Sequence, residues 1–274
     1  MALSLDGTLL LAGAGNMGGA LLAGWLEQGL APSRIIVQDP SPPPRMTELL
    51  AKHRIRTEAS IDRIDVPPAV MLVAVKPQIM DEVFPKLAKL AGPATVVLSV
   101  AAGKTIAGFE RHLAPGAAVV RSIPNTPASV GRGITVAAAN ANVTAAQKAA
   151  CQKLLESVGA VAWVDDEALI DPVTAVSGSG PAYVFYLCET LAKAGVAAGL
   201  EPGLALQLAR WTVAGAGELL HRSDLTPDVL RQNVTSPNGT TFAALQVLMG
   251  EKGIQPVMTE AVAAATKRSR ELAK

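Results

Sequence analysis

The run Gly13-Ala14-Gly15-Asn16-Met17-Gly18 constrains this chain more than any other segment, because it joins an apolar run at residues 8–12 to a helical stretch at 19–26. Glycines at this spacing have separate jobs. The first permits a tight turn out of a strand, the second lets a ligand approach bare backbone, and the third lets the helix pack closely on the strand. The helix start that follows offers unpaired N–H donors to an anion. In this strand–turn–helix setting the run predicts a cradle for a dinucleotide pyrophosphate, built by Gly13, Gly15, Asn16, Met17 and Gly18.

The segments beyond it have the same texture. Short apolar runs at 8–13, 34–39, 69–75, 94–100, 117–123, 134–139 and 161–164 alternate with helical segments and lack the polar alternation of half-exposed strands. This predicts buried parallel strands in a right-handed β-α-β winding. After Asp165 the strand signals stop, and Ala/Leu-rich helical stretches follow at about 182–198, 204–221, 227–233, 242–250 and 257–272. The expected fold class is α/β, with an N-terminal dinucleotide-binding domain over 1–164 and an all-helical domain over 165–274. Aromatic residues are only 3% of the chain, so both cores must be built from Ala, Leu and Val. The helix at 204–217 is apolar on nearly every face and must be buried all round. A domain of roughly 110 residues cannot easily do that alone, so a homodimer is expected, with this domain at the interface.

Charge and cysteine content exclude other classes. The 24 Lys+Arg against 23 Asp+Glu give a net charge of +1, so no overall field favours nucleic acid or an anionic membrane. Cys151 and Cys188 make no disulfide framework, and no Cys/His spacing suggests a metal site. The first basic residue is Arg34, so the charged start of a secretory signal is missing, and polar residues interrupt every apolar stretch before a membrane span is reached. The expectation is a cytoplasmic protein with no nucleic-acid or membrane partner.

Asp39 ends the second strand, where a carboxylate accepts hydrogen bonds from an adenosine ribose; by itself it favours NADH. Ser41 and Arg45 follow it, and a hydroxyl with a guanidinium suits the 2′-phosphate of NADPH. Both readings stand at this level. Ala74, Val75, Lys76 and Pro77 close the third strand, and Val100, Ala101 and Ala102 follow the next. Small residues with free carbonyls there suit a nicotinamide ring, although strand-to-helix turns use the same residues. Pro124-Asn125-Thr126-Pro127 reads equally as a rigid site loop or as a connection.

In the helical half, two polar loops are expected at 176–181 and 233–241, each opening a helix. The second carries Thr235, Ser236, Gly239, Thr240 and Thr241. Amides and hydroxyls at a helix start are suited to gripping a small carboxylate, beyond what one N-cap needs. His53, His112 and His221 stand alone, with no acid–base motif around them. The helix after Gly178-Ser179-Gly180 lacks the Lys and Asn that hydroxyacid dehydrogenases of the phosphogluconate type use there. An imine substrate fits better than an alcohol, because its nitrogen can arrive already protonated.

The stretch from Leu230 through Asn233-Val234-Thr235-Ser236-Pro237-Asn238-Gly239-Thr240-Thr241 to Leu245 resembles the signature of the pyrroline-5-carboxylate reductases. Ala175-Val176-Ser177-Gly178-Ser179-Gly180-Pro181-Ala182-Tyr183 resembles that family's second landmark. The resemblance runs along essentially the whole chain. It implies reduction of 1-pyrroline-5-carboxylate to L-proline by NADPH or NADH, and a Rossmann domain followed by a helical dimerisation domain whose dimers assemble further, up to a decamer. By position it implies that Thr241 hydrogen-bonds the ring nitrogen, and that Thr240 with Ser236 and Gly239 binds the carboxylate. Glu167 would compensate the cationic nitrogen, Asn233 would lie near the nicotinamide, and Ser41 beside the adenosine ribose. The family commonly has Gly where Asn238 stands, so here Asn must bear a left-handed conformation.

Overall fold

The computed structural model describes residues 2–273. Its strands are β1 (Leu9–Ala12), β2 (Ile35–Gln38), β3 (Arg56–Glu58), β4 (Val70–Val73), β5 (Val96–Ser99), β6 (Ala118–Pro124), β7 (Gly133–Ala139) and β8 (Gly159–Trp163). They form one sheet of order β3-β2-β1-β4-β5-β6-β7-β8. All pairs are parallel except β6 with β7. Leu9 and Leu11 face one apolar cluster, whereas Leu10 and Ala12 face the other, so the sheet is covered on both sides. Helices α1 (Asn16–Glu27), α2 (Pro44–His53) and α5 (Ala145–Glu156) pack on the first side. Helices α3 (Met80–Leu87), α4 (Ile106–Glu110) and α6 (Ile170–Val173) pack on the second. Buried Trp25 of α1 donates from Nε1 to the Leu154 carbonyl at 2.8 Å, which satisfies the one polar atom of that ring.

Residues up to Gly178, with those from Thr266 on, form one compact unit, and Ser179–Ala265 form the second. The second contains α7 (Gly180–Ala197), α8 (Pro202–Arg222), α9 (Pro227–Asn233), α10 (Thr240–Leu248) and most of α11 (Ile254–Leu272). Helices α7 and α8 pack against each other where Gly195 meets Ala205, an added Cβ on Gly195 lying 3.3 Å from the Ala205 Cβ. Among the described residues of this unit only Ala205 and Ala209 are buried, while Trp211 is 74% exposed, Val247 75% and Phe185 68%. A helical unit with so little core within one chain presents its apolar faces for association.

Three expectations are corrected. Strand β3 is absent from the sequence reading because Arg-Thr-Glu has no apolar run; it is a short polar edge strand. Strand β7 runs antiparallel to β6, not parallel, because residues 125–132 are too few for a crossover helix. Residues 125–132 join these two strands, with the Asn125 Oδ1 accepting the Ile134 amide at 2.9 Å. The loop expected at 176–181 is wound instead. Thr174–Gly178 is a π-helix continuing α6, and the Thr174 and Ser177 hydroxyls donate to the carbonyls of Ile170 and Val173.

Candidate active site

The glycine loop lies at the carboxyl end of β1, where the strand order reverses between β1 and β4 and where open α/β sheets bind ligands. Gly13 has φ +93°, and its added Cβ would lie 2.8 Å from the Ala74 carbonyl oxygen. At Gly18 an added Cβ would collide with the Gly13 carbonyl oxygen. Both positions are glycine for reasons internal to the chain. Gly15 differs: it is exposed, and an added Cβ there would meet nothing within 4 Å. No protein contact requires glycine at 15. The open space above it, beside the start of α1 and with no side-chain cap on that helix, fits a dinucleotide pyrophosphate.

Asp39 closes against this loop. Its Oδ2 accepts the Ala14 amide at 2.7 Å and its Oδ1 accepts the Ser41 amide at 2.9 Å. The carboxylate therefore ties the glycine loop to the β2–α2 turn, and two backbone donors offset its charge. Ser41 and Arg45 are exposed at that turn, where α2 begins at Pro44. Ala74, Val75, Lys76 and Pro77 follow β4, and Val100, Ala101 and Ala102 follow β5, at the same carboxyl edge. The Ala74 amide donates to Ala12 and the Val100 amide to Val73, so both segments start as strand extensions. Lys76 and Ala102 are exposed; Val75, Val100 and Ala101 are buried.

Glu167 belongs to the same compact unit. Its Oε1 accepts the Ile106 amide at 2.9 Å and the Arg121 Nη1 at 2.9 Å. Arg121 is the residue that sequence reasoning passed over. It sits in β6 at 3% exposure. A lone arginine in the apolar run Ala118-Val119-Val120-Arg121-Ser122-Ile123 was its signal, since a buried guanidinium requires carboxylate partners.

In the helical unit, Asn233 ends α9, and Ser236, Gly239, Thr240 and Thr241 surround the start of α10. Asn238 has φ +58°, the left-handed conformation its position demanded. The Gly239 amide donates to the Ser236 carbonyl at 3.0 Å, closing the turn. Gly239 is the N-cap of α10, and no side chain caps that helix. The amides of its first turn and the Thr240 and Thr241 hydroxyls thus form one donor-rich corner, with Thr240 exposed and Thr241 half-buried. Among the described residues no group of three His, Cys, Asp or Glu side chains is placed to hold a metal ion. No described helix is long and apolar enough to cross a membrane.

Residues 167–272 match the family described as pyrroline-5-carboxylate reductase dimerisation, and residues 8–103 match NADP oxidoreductase coenzyme F420-dependent. The chain is 40% identical over 267 residues to the pyrroline-5-carboxylate reductase of Pseudomonas aeruginosa, covering 95% of each. A solved pyrroline-5-carboxylate reductase from Coxiella burnetii superposes with TM-score 0.91 at 33% identity, over 98% of this chain and 100% of that one. The Plasmodium falciparum pyrroline carboxylate reductase, solved with NADP bound, superposes with TM-score 0.81 at 27% identity, over 98% and 99%. The helical half is accordingly a self-association domain. With a glycine cradle shaped for a dinucleotide, a donor-rich helix start and full-length similarity of this degree, the chain belongs to the pyrroline-5-carboxylate reductases, NAD(P)H-dependent oxidoreductases that reduce 1-pyrroline-5-carboxylate to L-proline.

Proposed function

We propose that the α10 corner binds the imino acid and that the carboxyl edge of the sheet binds the cofactor. The observation that carries this reading is the start of α10, where glycine is the N-cap and no side chain takes up the first-turn amides. The Thr240 and Thr241 amides, the Thr240 hydroxyl, Gly239 and Ser236 hold the substrate carboxylate there, with the helix dipole adding to the attraction. The Thr241 hydroxyl, able to donate and accept, hydrogen-bonds the ring nitrogen and keeps its proton in place. When bound, the reduced nicotinamide supplies a hydride to the imine carbon. The chain contributes position and fixed dipoles rather than a strong acid, so catalysis rests on orientation and electrostatic stabilisation.

At the cofactor end, Gly13, Gly15, Asn16, Met17 and Gly18 take the pyrophosphate, and Ala74 to Pro77 and Val100 to Ala102 take the nicotinamide end. Because Asp39 is turned onto two backbone amides, Ser41 and Arg45 are left to receive a 2′-phosphate, and NADPH is the preferred donor. The working assembly is a cytoplasmic homodimer that associates further to a decamer. A spectrophotometric assay of 1-pyrroline-5-carboxylate with NADPH and NADH side by side tests the reading. Thr241→Ala is expected to lower kcat by roughly a hundredfold while leaving cofactor binding intact. Unchanged turnover in that variant removes Thr241 from the catalytic set.

A further inference from the structure

Arg121 is the most deeply buried charge in the described chain, and its contacts run in two directions. Its Nη1 meets the Glu167 Oε1 at 2.9 Å, and its Nη2 lies 4.0 Å from the Asp171 Oδ1. Its Nε finds no acceptor among the described residues. A guanidinium retained in this setting is fixed in place by the two carboxylates.

Each carboxylate carries the connection onward. The Glu167 Oε1 also accepts the Ile106 amide at 2.9 Å, at the first residue of α4, where the loop that follows β5 ends. The Asp171 Oδ1 accepts the Ser269 hydroxyl at 2.7 Å, on the last turns of α11, and Ser269 is itself buried. Three residues on, the Leu272 carbonyl oxygen lies 3.2 Å from where a Cβ on Gly103 would stand, and Gly103 has φ +72° within that same loop. The loop at residues 100–105 is therefore held at its far end by Glu167 and backed at Gly103 by the end of α11. Arg121 joins the two supports.

We propose that Arg121, Glu167, Asp171 and Ser269 are a brace that fixes the loop after β5, making Arg121 and Glu167 positioning residues for the nicotinamide end of the cofactor. This rests on the reading above that Val100, Ala101 and Ala102 line that end. It gives Glu167 a different task from compensation of the substrate's cationic nitrogen, since Arg121 already balances its charge. A misplacement of about 1 Å in such a loop is enough for a large loss of rate.

The test measures binding to the free enzyme as well as turnover. Arg121→Met is expected to weaken NADPH in the binary complex by roughly tenfold, read by quenching of protein fluorescence, and to raise KM for NADPH more than KM for the imino acid. Binding of 2′-phospho-ADP-ribose, which lacks the nicotinamide, stays at the wild-type level. Because Arg121→Met leaves Glu167 without its cation, whereas Asp171 keeps Arg270 at 4.0 Å and the Ser269 hydroxyl, the double variant Arg121→Met/Glu167→Gln removes that strain, and Ser269→Ala loosens only the α11 arm. The brace predicts that the double variant, which still lacks Arg121, keeps the weakened NADPH binding of Arg121→Met, and that Ser269→Ala shows a smaller loss of NADPH affinity in the same direction. A double variant that recovers wild-type NADPH affinity, or an Arg121→Met enzyme with wild-type NADPH affinity, overturns the proposal. Failure of the underlying cofactor reading would look different, because then Gly15→Val would leave both NADPH and 2′-phospho-ADP-ribose binding intact.

Discussion

At Gly15 and Gly18 the same residue type serves opposite ends. Gly18 is demanded by the fold, since a Cβ there would collide with the Gly13 carbonyl, whereas a Cβ at Gly15 would meet nothing within 4 Å. Gly18→Ala is expected to destabilise the protein by roughly 1–3 kcal/mol, the usual range for overpacking, as measured by chemical denaturation. Gly15→Ala should leave the melting temperature of the free protein unchanged while weakening NADPH by about tenfold or more, worth about 1.4 kcal/mol. If Gly15→Ala instead unfolds the protein, the space above it is not a ligand cradle. Cys151 makes a second residue-scale prediction. Burial pushes its thiol from 9.0 up to about 12. Above pH 9 the unfolded chain releases this proton and the folded chain holds it, so the stability Cys151 contributes is complete below pH 9 and lost as pH rises towards 12. Urea titrations at successive pH values above 9 should show a steeper decline for wild type than for Cys151→Ala.

At the level of elements, the turn before α10 carries the proposed substrate contacts, and its shape depends on Asn238. With φ +58° this residue holds the turn in a conformation that Asn tolerates and β-branched residues do not. Asn238→Gly should keep catalytic efficiency and hold or slightly raise stability. Asn238→Val should lower kcat/KM by about tenfold or more, because the first-turn amides of α10 shift with the turn. Equal kinetics for the two variants would show that turn geometry is irrelevant to turnover. This element was legible beforehand, since a donor-rich helix start is written in consecutive residues. The direction of β7 was also implicit in the shortness of 125–132, but an apolar run looks the same whichever way it points. Strand β3 was not legible, because three polar residues become a strand only by pairing with β2.

For the molecule as a whole, the helical unit buries little beyond Ala205 and Ala209 within one chain, and Trp211 at 74% exposure lies on a helix apolar on nearly every face. Association supplies the core that one copy lacks. The melting temperature should therefore rise with protein concentration, and Trp211→Glu should shift the mass measured by light scattering towards smaller species while lowering the melting temperature. A Trp211→Glu protein of unchanged mass and melting temperature would place this face outside the interface.

Apolar periodicity, glycine spacing and the polar corner before α10 are local properties of the chain, so most strands and helices, the glycine turn and the family could be read from residue order. Tertiary structure decided what depends on partners far apart in sequence. Asp39 faces the Ala14 and Ser41 amides rather than open solvent, and Glu167 is joined to Arg121 across 46 positions. The residues after Asp165 divide between two compact units, and within the first of them Asp171 meets Ser269 across 98 positions. A carboxylate's role follows from which donor it meets, and no local pattern encodes that meeting.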